Sequence, residues 1–301
     1  MRTKAVRMYG KNDLRLEEFE LPQMKEDEVL VKVMSDSICM STYKLVAQGK
    51  KHKRAPQNID TNPVIVGHEC SGIIVEVGEK WKNQFRPGQK FSLQPALNYQ
   101  GKLDSPGYSY EFCGGACTYC IMPHEVMELG CLLDYTGESF FEASLGEPMS
   151  CIIGGYHANY HTNKKNYGHA MGTKEDGNIL IMGGCGPMGL GAVSYGLQFE
   201  NKPRRIVVTD ISDDRIQRAR EVISEESAKK RGIELRYVNT AAMEDPIAEL
   251  MAITEGHGYD DVFVYVPNKQ VAEMGDKLLA FDGCMNFFAG PTDNQFKAEI
   301  N

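Results

Sequence analysis

The sequence predicts an α/β protein in two parts, a β-rich domain over residues 1–150 followed by a doubly wound parallel-sheet domain over residues 151–301. Three observations carry this. Short β-type runs punctuated by Gly, Pro, Asn and Asp fill the first half. Strand-type and helix-type stretches alternate in the second half. A glycine-rich turn stands where the second half's first strand passes into its first helix.

In the first half, KAVRMY, EVLVKVM, PVIVGHE, GIIVEVG, QKFSLQ and CTYCIMP read as strands of a barrel-like or sandwich domain. Residues 147–165 are expected to form a helix joining the halves, with Pro148 in the first turn, where its missing N–H has no partner to lose. In the second half, strands are predicted over 178–183, 204–210, 235–240, 261–266 and 284–289. Helices are predicted over 187–199 and, as one charged amphipathic segment, over 213–231; the mixed charges of 221–231 read as its solvated face. A βαβαβ series implies a parallel sheet with right-handed crossovers.

Composition narrows the function classes. Hydrophobic residues at 42% and charged residues at 25% fit a globular protein. No apolar run reaches the roughly 20 residues of a membrane span, and the opening MRTKAVRMYGKNDLRL lacks the apolar stretch of a signal peptide. A net charge of −8 argues against non-specific nucleic-acid binding. An odd count of 9 cysteines without an export signal points to thiols in a reducing cytoplasm.

The segment NILIMGGCGPMGLGAV contains Gly184-x-Gly186-x-x-Gly189, with Pro187 and Met188 inside the turn. Following a predicted strand and opening a predicted helix, it has the context of a dinucleotide-binding loop. Glycine serves there three times: for the tight turn, for approach of backbone to a pyrophosphate, and for packing of helix on strand. The helix N-terminus presents free N–H groups and partial positive charge to the phosphates. Asp210, 21 residues after Gly189, is placed to accept hydrogen bonds from both ribose hydroxyls and to repel a 2′-phosphate. NAD(H) is therefore expected over NADP(H). Capping of the next helix is the plainer role for Asp210. Arg215 is a candidate for stacking on adenine, or an ordinary solvated charge.

Metal-ligating residue types stand at Cys39 in SDSICMSTYK, at His68 and Glu69 in VIVGHECSG, and at Glu147 in SLGEPMSC. A catalytic zinc takes three protein ligands and keeps one open position. Spacing alone favours a buried thiol and a core histidine, because these residues span more than a hundred positions.

Gly67-His68-Glu69-x-x-Gly72 followed by Gly78 resembles the signature of zinc-containing alcohol dehydrogenases, except that Trp81 stands where that family usually has a small residue. SICMS resembles the stretch carrying the family's zinc thiolate, and LGEPMSC resembles the region of its third ligand. With the glycine loop, the likeness to medium-chain dehydrogenases/reductases runs from the N-terminus to about residue 290. The runs KNDLRLEEFELP, SICMSTYK and QPALNY look closest to L-sorbose-1-phosphate reductases. The resemblance implies a GroES-like β-domain followed by a Rossmann domain. It also implies one catalytic zinc on Cys39, His68 and either Glu147 or Glu69, with Glu147 preferred and Glu69 then orienting the ligands. Ser41 matches the hydroxyl that passes the substrate proton outward. Many relatives continue that relay with Asp and His, where this chain has Thr42 and Lys44; Lys44 is a candidate for a substrate phosphate.

Three other clusters invite chemistry. Cys113, Cys117, Cys120 and Cys131 imitate a structural zinc site, but no structural zinc is expected, since Cys117 and Cys120 should fall in or beside a strand facing no common point. The basic run 50–54 reads as a solvated loop, or as guidance for a sugar phosphate. His157 and His161, four apart on the expected helix, are assigned to packing.

The expected protein is a zinc-dependent, NAD(H)-linked dehydrogenase of a small-molecule sugar phosphate or polyol, with reduction of L-sorbose 1-phosphate to D-glucitol 6-phosphate as the expected reaction. A general secondary-alcohol dehydrogenase and a non-catalytic NAD-binding protein are the alternatives. The chain stops soon after the fifth predicted strand, whereas a dinucleotide fold has six. A C-terminally shortened chain is therefore expected, and a homo-oligomer for the full-length family member.

Overall fold

Alternation of inward and outward residues builds the first of two units, Met1–Pro148 and Met149–Asn301. The computed structural model describes residues 1–163, 165–166, 168–291 and 296–300. In β1 (Arg2–Gly10), Thr3 and Ala5 point inward while Arg2 and Lys4 point outward, the period-2 signature of a strand, and further along Met8 is buried in a second cluster with Leu45 and Val64. Strand β2 (Asp13–Glu20) returns antiparallel to it. Next come β3 (Val29–Asp36), α1 (Met40–Gln48), β4 (Val64–Ile65), β5 (Cys70–Val77), β6 (Lys90–Leu93), β7 (Tyr119–Met122), α2 (His124–Glu128), β8 (Leu132–Asp134) and α3 (Phe140–Ser144). They form a β2-β1-β4 sheet and a five-stranded antiparallel sheet, β7-β3-β5-β6-β8. Val29, Val31, Ile74, Phe91, Leu93, Cys120 and Met122 pack between them. Each such fully buried large side chain contributes about 1.5–3 kcal/mol.

Helix α4 (Gly146–Ala158) carries the chain into the second unit. It ends short of the expected 165. Residues after Ala158 extend into β9 (Tyr160–Asn163), which pairs with β10 (Gly168–Met171) in a hairpin that the sequence analysis did not foresee. His157 and His161 therefore do not share a helix: His157 bonds the Tyr195 hydroxyl at 3.0 Å, while His161 lies on β9 against Asp261.

The parallel sheet is built from β11 (Asn178–Met182), α5 (Pro187–Gly196), β12 (Arg205–Asp210), α6 (Asp213–Val222), α7 (Glu225–Lys230), β13 (Glu234–Asn239), α8 (Pro246–Ile253), β14 (Tyr259–Val264), α9 (Lys269–Lys277) and β15 (Leu279–Phe287). Strand order is β13-β12-β11-β14-β15, every pair parallel. The order reverses between β11 and β14, and ligands of such sheets bind at the carboxyl ends beside that switch point. Alternate residues of β11 serve opposite cores: Ile179 and Ile181 pack with Ile206, Val208 and Phe263, whereas Leu180 and Met182 pack with Val207, Val262 and Val264. Burial on both faces explains why the strand reads as an unbroken apolar run. The expected single helix over 213–231 is two helices. Ile223 is extended, and the Ser224 side chain accepts from the Ser227 N–H, ending one helix and capping the next. Among the described residues, no helix is long and apolar enough to cross a membrane.

Candidate metal centre and phosphate loop

Cys39 is the N-cap of α1, and its sulfur accepts from the Ser41 N–H at 3.4 Å. Burial pushes the thiol up to about 11, against the pull of that N–H and the Ser41 hydroxyl. A bound cation reverses this balance, since a coordinating thiol gives up its proton.

His68 and Glu69 are placed by the turn leading into β5. Gly67 adopts φ +88, and a Cβ there would lie 2.1 Å from Asp36 Oδ2, so glycine is required. Asp36 Oδ1 accepts the Glu69 N–H at 3.1 Å. Burial pushes the Asp36 carboxyl up to about 7, with Glu69's own charge adding to the rise.

His68 is 4% exposed, and burial, helped by the nearby Arg54 charge, lowers it to about 4, the neutral form that ligates metals. Its Nδ1 faces Thr42 Oγ1 at 3.5 Å, and its Nε2 lies 3.9 Å from Glu69 Oε1. The other Glu69 oxygen accepts from the Ser37 hydroxyl.

Donor atoms of Cys39, His68 and Glu69 all lie within 4.8 Å of one another, a separation at which one ion can take all three. Thiolate, imidazole and carboxylate form a donor set suited to zinc, and the group fits it. Of the two candidate carboxylates, Glu69 joins this set and Glu147 does not. Glu147 stands half-buried in the first turn of α4, its charge acting on Tyr108. The geometry thus favours Glu69, against the preference drawn from the sequence.

Tyr108 was missed by sequence reasoning, because no spacing or motif marks it. Its hydroxyl lies 3.2 Å from His68 Nε2, and the Ser41 hydroxyl bonds to it as well. Burial raises the phenol far above its ordinary range. Ser41 therefore touches both the Cys39 sulfur and the Tyr108 hydroxyl. Lys44 is half-buried on α1, and its charge, with those of Arg54 and Lys53, reinforces the lowering of His52 that burial begins.

In the cysteine cluster, the Cys113 thiol donates to Met122 Sδ at 3.7 Å and the Cys117 thiol to Gly114 O at 3.1 Å, and both lie near enough to Cys120 to act on its thiol. Their proximity follows from β7, which seats Cys120 opposite Val31 in the core, while Ala5 bridges Cys117. They do not form a set with all donor atoms within 4.8 Å, and Cys131 bonds elsewhere, to Leu129 O.

In the second unit the glycine turn divides its tasks by position. Gly183, which the sequence analysis did not single out, makes the turn at φ +66. A Cβ on Gly189 would lie 2.3 Å from Gly184 Cα, so this glycine lets α5 pack against the turn. At Gly186, the N-cap of α5, a Cβ would meet nothing within 4 Å. The backbone is open there, and Pro187 at the first helical position leaves the Met188 and Gly189 N–H groups facing the helix mouth. This cradle fits a pyrophosphate. Asp210 ends β12, and its Oδ1 accepts from the N–H of Ile211 at 2.8 Å and of Ser212 at 3.3 Å. Those bonds fix the carboxylate at the end of the strand. The helix-capping role belongs instead to Ser212. Arg215 is exposed on α6.

Residues 25–131 match the alcohol dehydrogenase GroES-like domain. The chain is 52% identical over 299 residues to mannitol-1-phosphate 5-dehydrogenase of Aliivibrio fischeri, covering 99% of this chain and 70% of that one. It is 45% identical to L-sorbose 1-phosphate reductase of Klebsiella pneumoniae, covering 99% and 72%. Among solved structures, 2R,3R-butanediol dehydrogenase of Bacillus subtilis shares the fold with a TM-score of 0.74 at 23% identity, covering 99% of this chain and 80% of that one.

Proposed function

Because this chain belongs to the zinc-binding medium-chain dehydrogenase/reductase family, and is an oxidoreductase of the polyol and sugar-phosphate class, we propose that it transfers a hydride between NAD(H) and a ketose or polyol phosphate, with reduction of L-sorbose 1-phosphate to D-glucitol 6-phosphate as the first reaction to test. The observation carrying this reading is the Cys39, His68 and Glu69 group, within 4.8 Å, inside the matched domain. Oxidation of mannitol 1-phosphate is the second reading, favoured by the higher identity to the Aliivibrio fischeri enzyme.

Cys39, His68 and Glu69 would hold a single zinc, and residues 184–189 with the α5 N-terminus would hold the cofactor's pyrophosphate. Bound there, zinc supplies Lewis acidity toward a substrate oxygen and nicotinamide supplies or takes the hydride. The protein's own groups do the rest. Thr42 orients His68 through Nδ1, and Ser37 orients Glu69. Ser41, bonded to Tyr108, carries a proton to or from the substrate oxygen. Asp210 reads the ribose hydroxyls, which selects NAD(H). A chain with nine cysteines and the chemistry of a metabolic dehydrogenase suits a reducing compartment such as the cytoplasm.

The test combines metal analysis with NADH oxidation on L-sorbose 1-phosphate, L-sorbose and simple ketones, and NAD+ reduction on mannitol 1-phosphate. Zinc near one per chain, with turnover confined to phosphorylated substrates, supports the reading. NADH binding without zinc-dependent turnover on any of them overturns it.

A further inference from the structure

Within the basic run 50–54, the side chains part company. Lys50 is spent on Asp60, 2.8 Å away. Lys51 and Lys53 are exposed. Arg54 turns inward: its guanidinium carbon lies 5.0 Å from the Tyr108 ring centroid. Among the described residues no carboxylate comes within ion-pair distance of it, and its Nε is buried without a hydrogen-bond partner. A buried guanidinium donor left unmatched is costly unless something else accepts from it.

The surroundings say what that acceptor is. His52 stacks on the same Tyr108 ring, centroids 5.6 Å apart and planes 16° from parallel. Its Nδ1 accepts the Arg54 backbone N–H at 3.2 Å. The Ser109 hydroxyl donates to Arg54 O at 2.8 Å, tying the loop down. Tyr108 then meets His68 with centroids 4.8 Å apart. One phenol ring therefore stands between the candidate metal centre and an arginine lacking an anion, a separation that a polyol chain of a few carbons spans. Planar guanidinium with parallel N–H groups matches phosphate oxygens.

We propose that Arg54, held over Tyr108 and beside His52, is the anchor for the substrate's phosphate group. This rests on the dehydrogenase reading for the identity of the substrate, and deepens it by separating one specific residue from the diffuse charge of the run. Lys50, Lys51 and Lys53 raise the local potential; Arg54 makes the contact.

Two measurements test it. The first compares KM for L-sorbose 1-phosphate with KM for L-sorbose in wild type, Arg54→Gln, Arg54→Lys and Lys51→Gln. Arg54→Gln is expected to reduce the preference for the phosphorylated ketose about 10- to 100-fold, the effect of one paired charge-assisted contact. Arg54→Lys should fall between, and Lys51→Gln should change the preference far less. Equal loss on both ketoses, or an equal effect of Lys51→Gln, overturns the proposal. The second measurement needs no turnover: binding of inorganic phosphate followed by 31P line broadening. Wild type is expected to bind and Arg54→Gln to lose binding at least tenfold. Phosphate binding unaffected by Arg54→Gln, or absent from wild type, overturns the anchor. Loss of all ketose turnover in wild type with Arg54-dependent phosphate binding instead overturns the dehydrogenase reading alone.

Discussion

The hydroxyl of Tyr108 lies 3.2 Å from Nε2 of His68, the ring nitrogen turned toward Glu69. A metal ion at this group takes the same lone pair, so the phenol and the ion compete for one nitrogen. Tyr108→Phe removes the competitor while keeping the ring that His52 and Arg54 lie against. Zinc affinity is expected to rise between about 2- and 10-fold, the worth of one neutral hydrogen bond. Turnover should fall, because Ser41 loses its partner. Chelator-competition titration reads the first effect, and a drop in zinc affinity would contradict the arrangement.

The two acidic candidates separate cleanly. Glu69→Gln is expected to weaken zinc binding at least 100-fold, whereas Glu147→Gln should change it less than tenfold, since Glu69 alone shares the 4.8 Å set with Cys39 and His68. Cys39→Ser and His68→Ala should abolish both metal and turnover while NADH binding persists. Metal analysis after dialysis, paired with NADH fluorescence, measures both.

Two glycines of the phosphate loop make opposite demands. Gly189→Ala drives a methyl to within 2.3 Å of Gly184 Cα and should cost about 1–3 kcal/mol of stability as well as cofactor affinity. Gly186→Ala meets nothing within 4 Å and should leave stability nearly unchanged while lowering NADH affinity. Urea midpoints and fluorescence titration distinguish the two. Unchanged NADH affinity in Gly186→Ala would mean that the pyrophosphate lies elsewhere.

Asp210→Ser removes the carboxylate that ends β12 and should shift preference from NADH toward NADPH by about tenfold or more. An unshifted ratio of kcat/KM for the two cofactors would show that Asp210 does not read the ribose.

His161 links β9 to the parallel sheet in a pH-dependent way. Its Nε2 is 3.1 Å from Asp261 Oδ1 and its Nδ1 is 3.1 Å from Asp282 O, so both ring nitrogens face acceptors and the imidazolium is the matched form. The hydrogen bond that His161 donates to Asp261 raises His161 above its ordinary value, against burial. A raised folded-state pKa stabilises below the unfolded value, about 6.5, and that contribution is lost as pH climbs through the folded value. His161→Gln should therefore be most destabilising near pH 6, with the gap to wild type narrowing toward pH 9. A gap that widens with pH would refute the charged pairing.

The second unit was legible in the sequence wherever local chemistry decides structure. Apolar runs buried on both faces announced β11 and β12, and the glycine turn announced the passage from β11 into α5. Long-range partners were not legible. Helix α4 stops where Asn159 and His161 turn to Asp261, about a hundred residues away. The break at Ser224 was hidden because the charged run continues on both sides of it, although serine favours helix caps over helix interiors. At the metal group, Cys39 and His68 stood out only through resemblance. Glu69 and Glu147 both stayed open as the third ligand, because spacing says nothing of how a turn aims two successive side chains. Tyr108 belongs to no motif; packing on His68 brings it to the site. Cys113, Cys117 and Cys120 meet because register and a crossing loop converge on one core position, a coincidence of tertiary structure.

The most direct test of a single zinc on one thiolate, one imidazole and one carboxylate is zinc K-edge X-ray absorption on the metal-loaded protein. One sulfur at about 2.3 Å, with the remaining ligands nitrogen and oxygen near 2.0–2.2 Å, is the predicted shell. A shell with three or more sulfurs would place the metal among Cys113, Cys117 and Cys120, and a shell without sulfur would remove Cys39; either result contradicts the account.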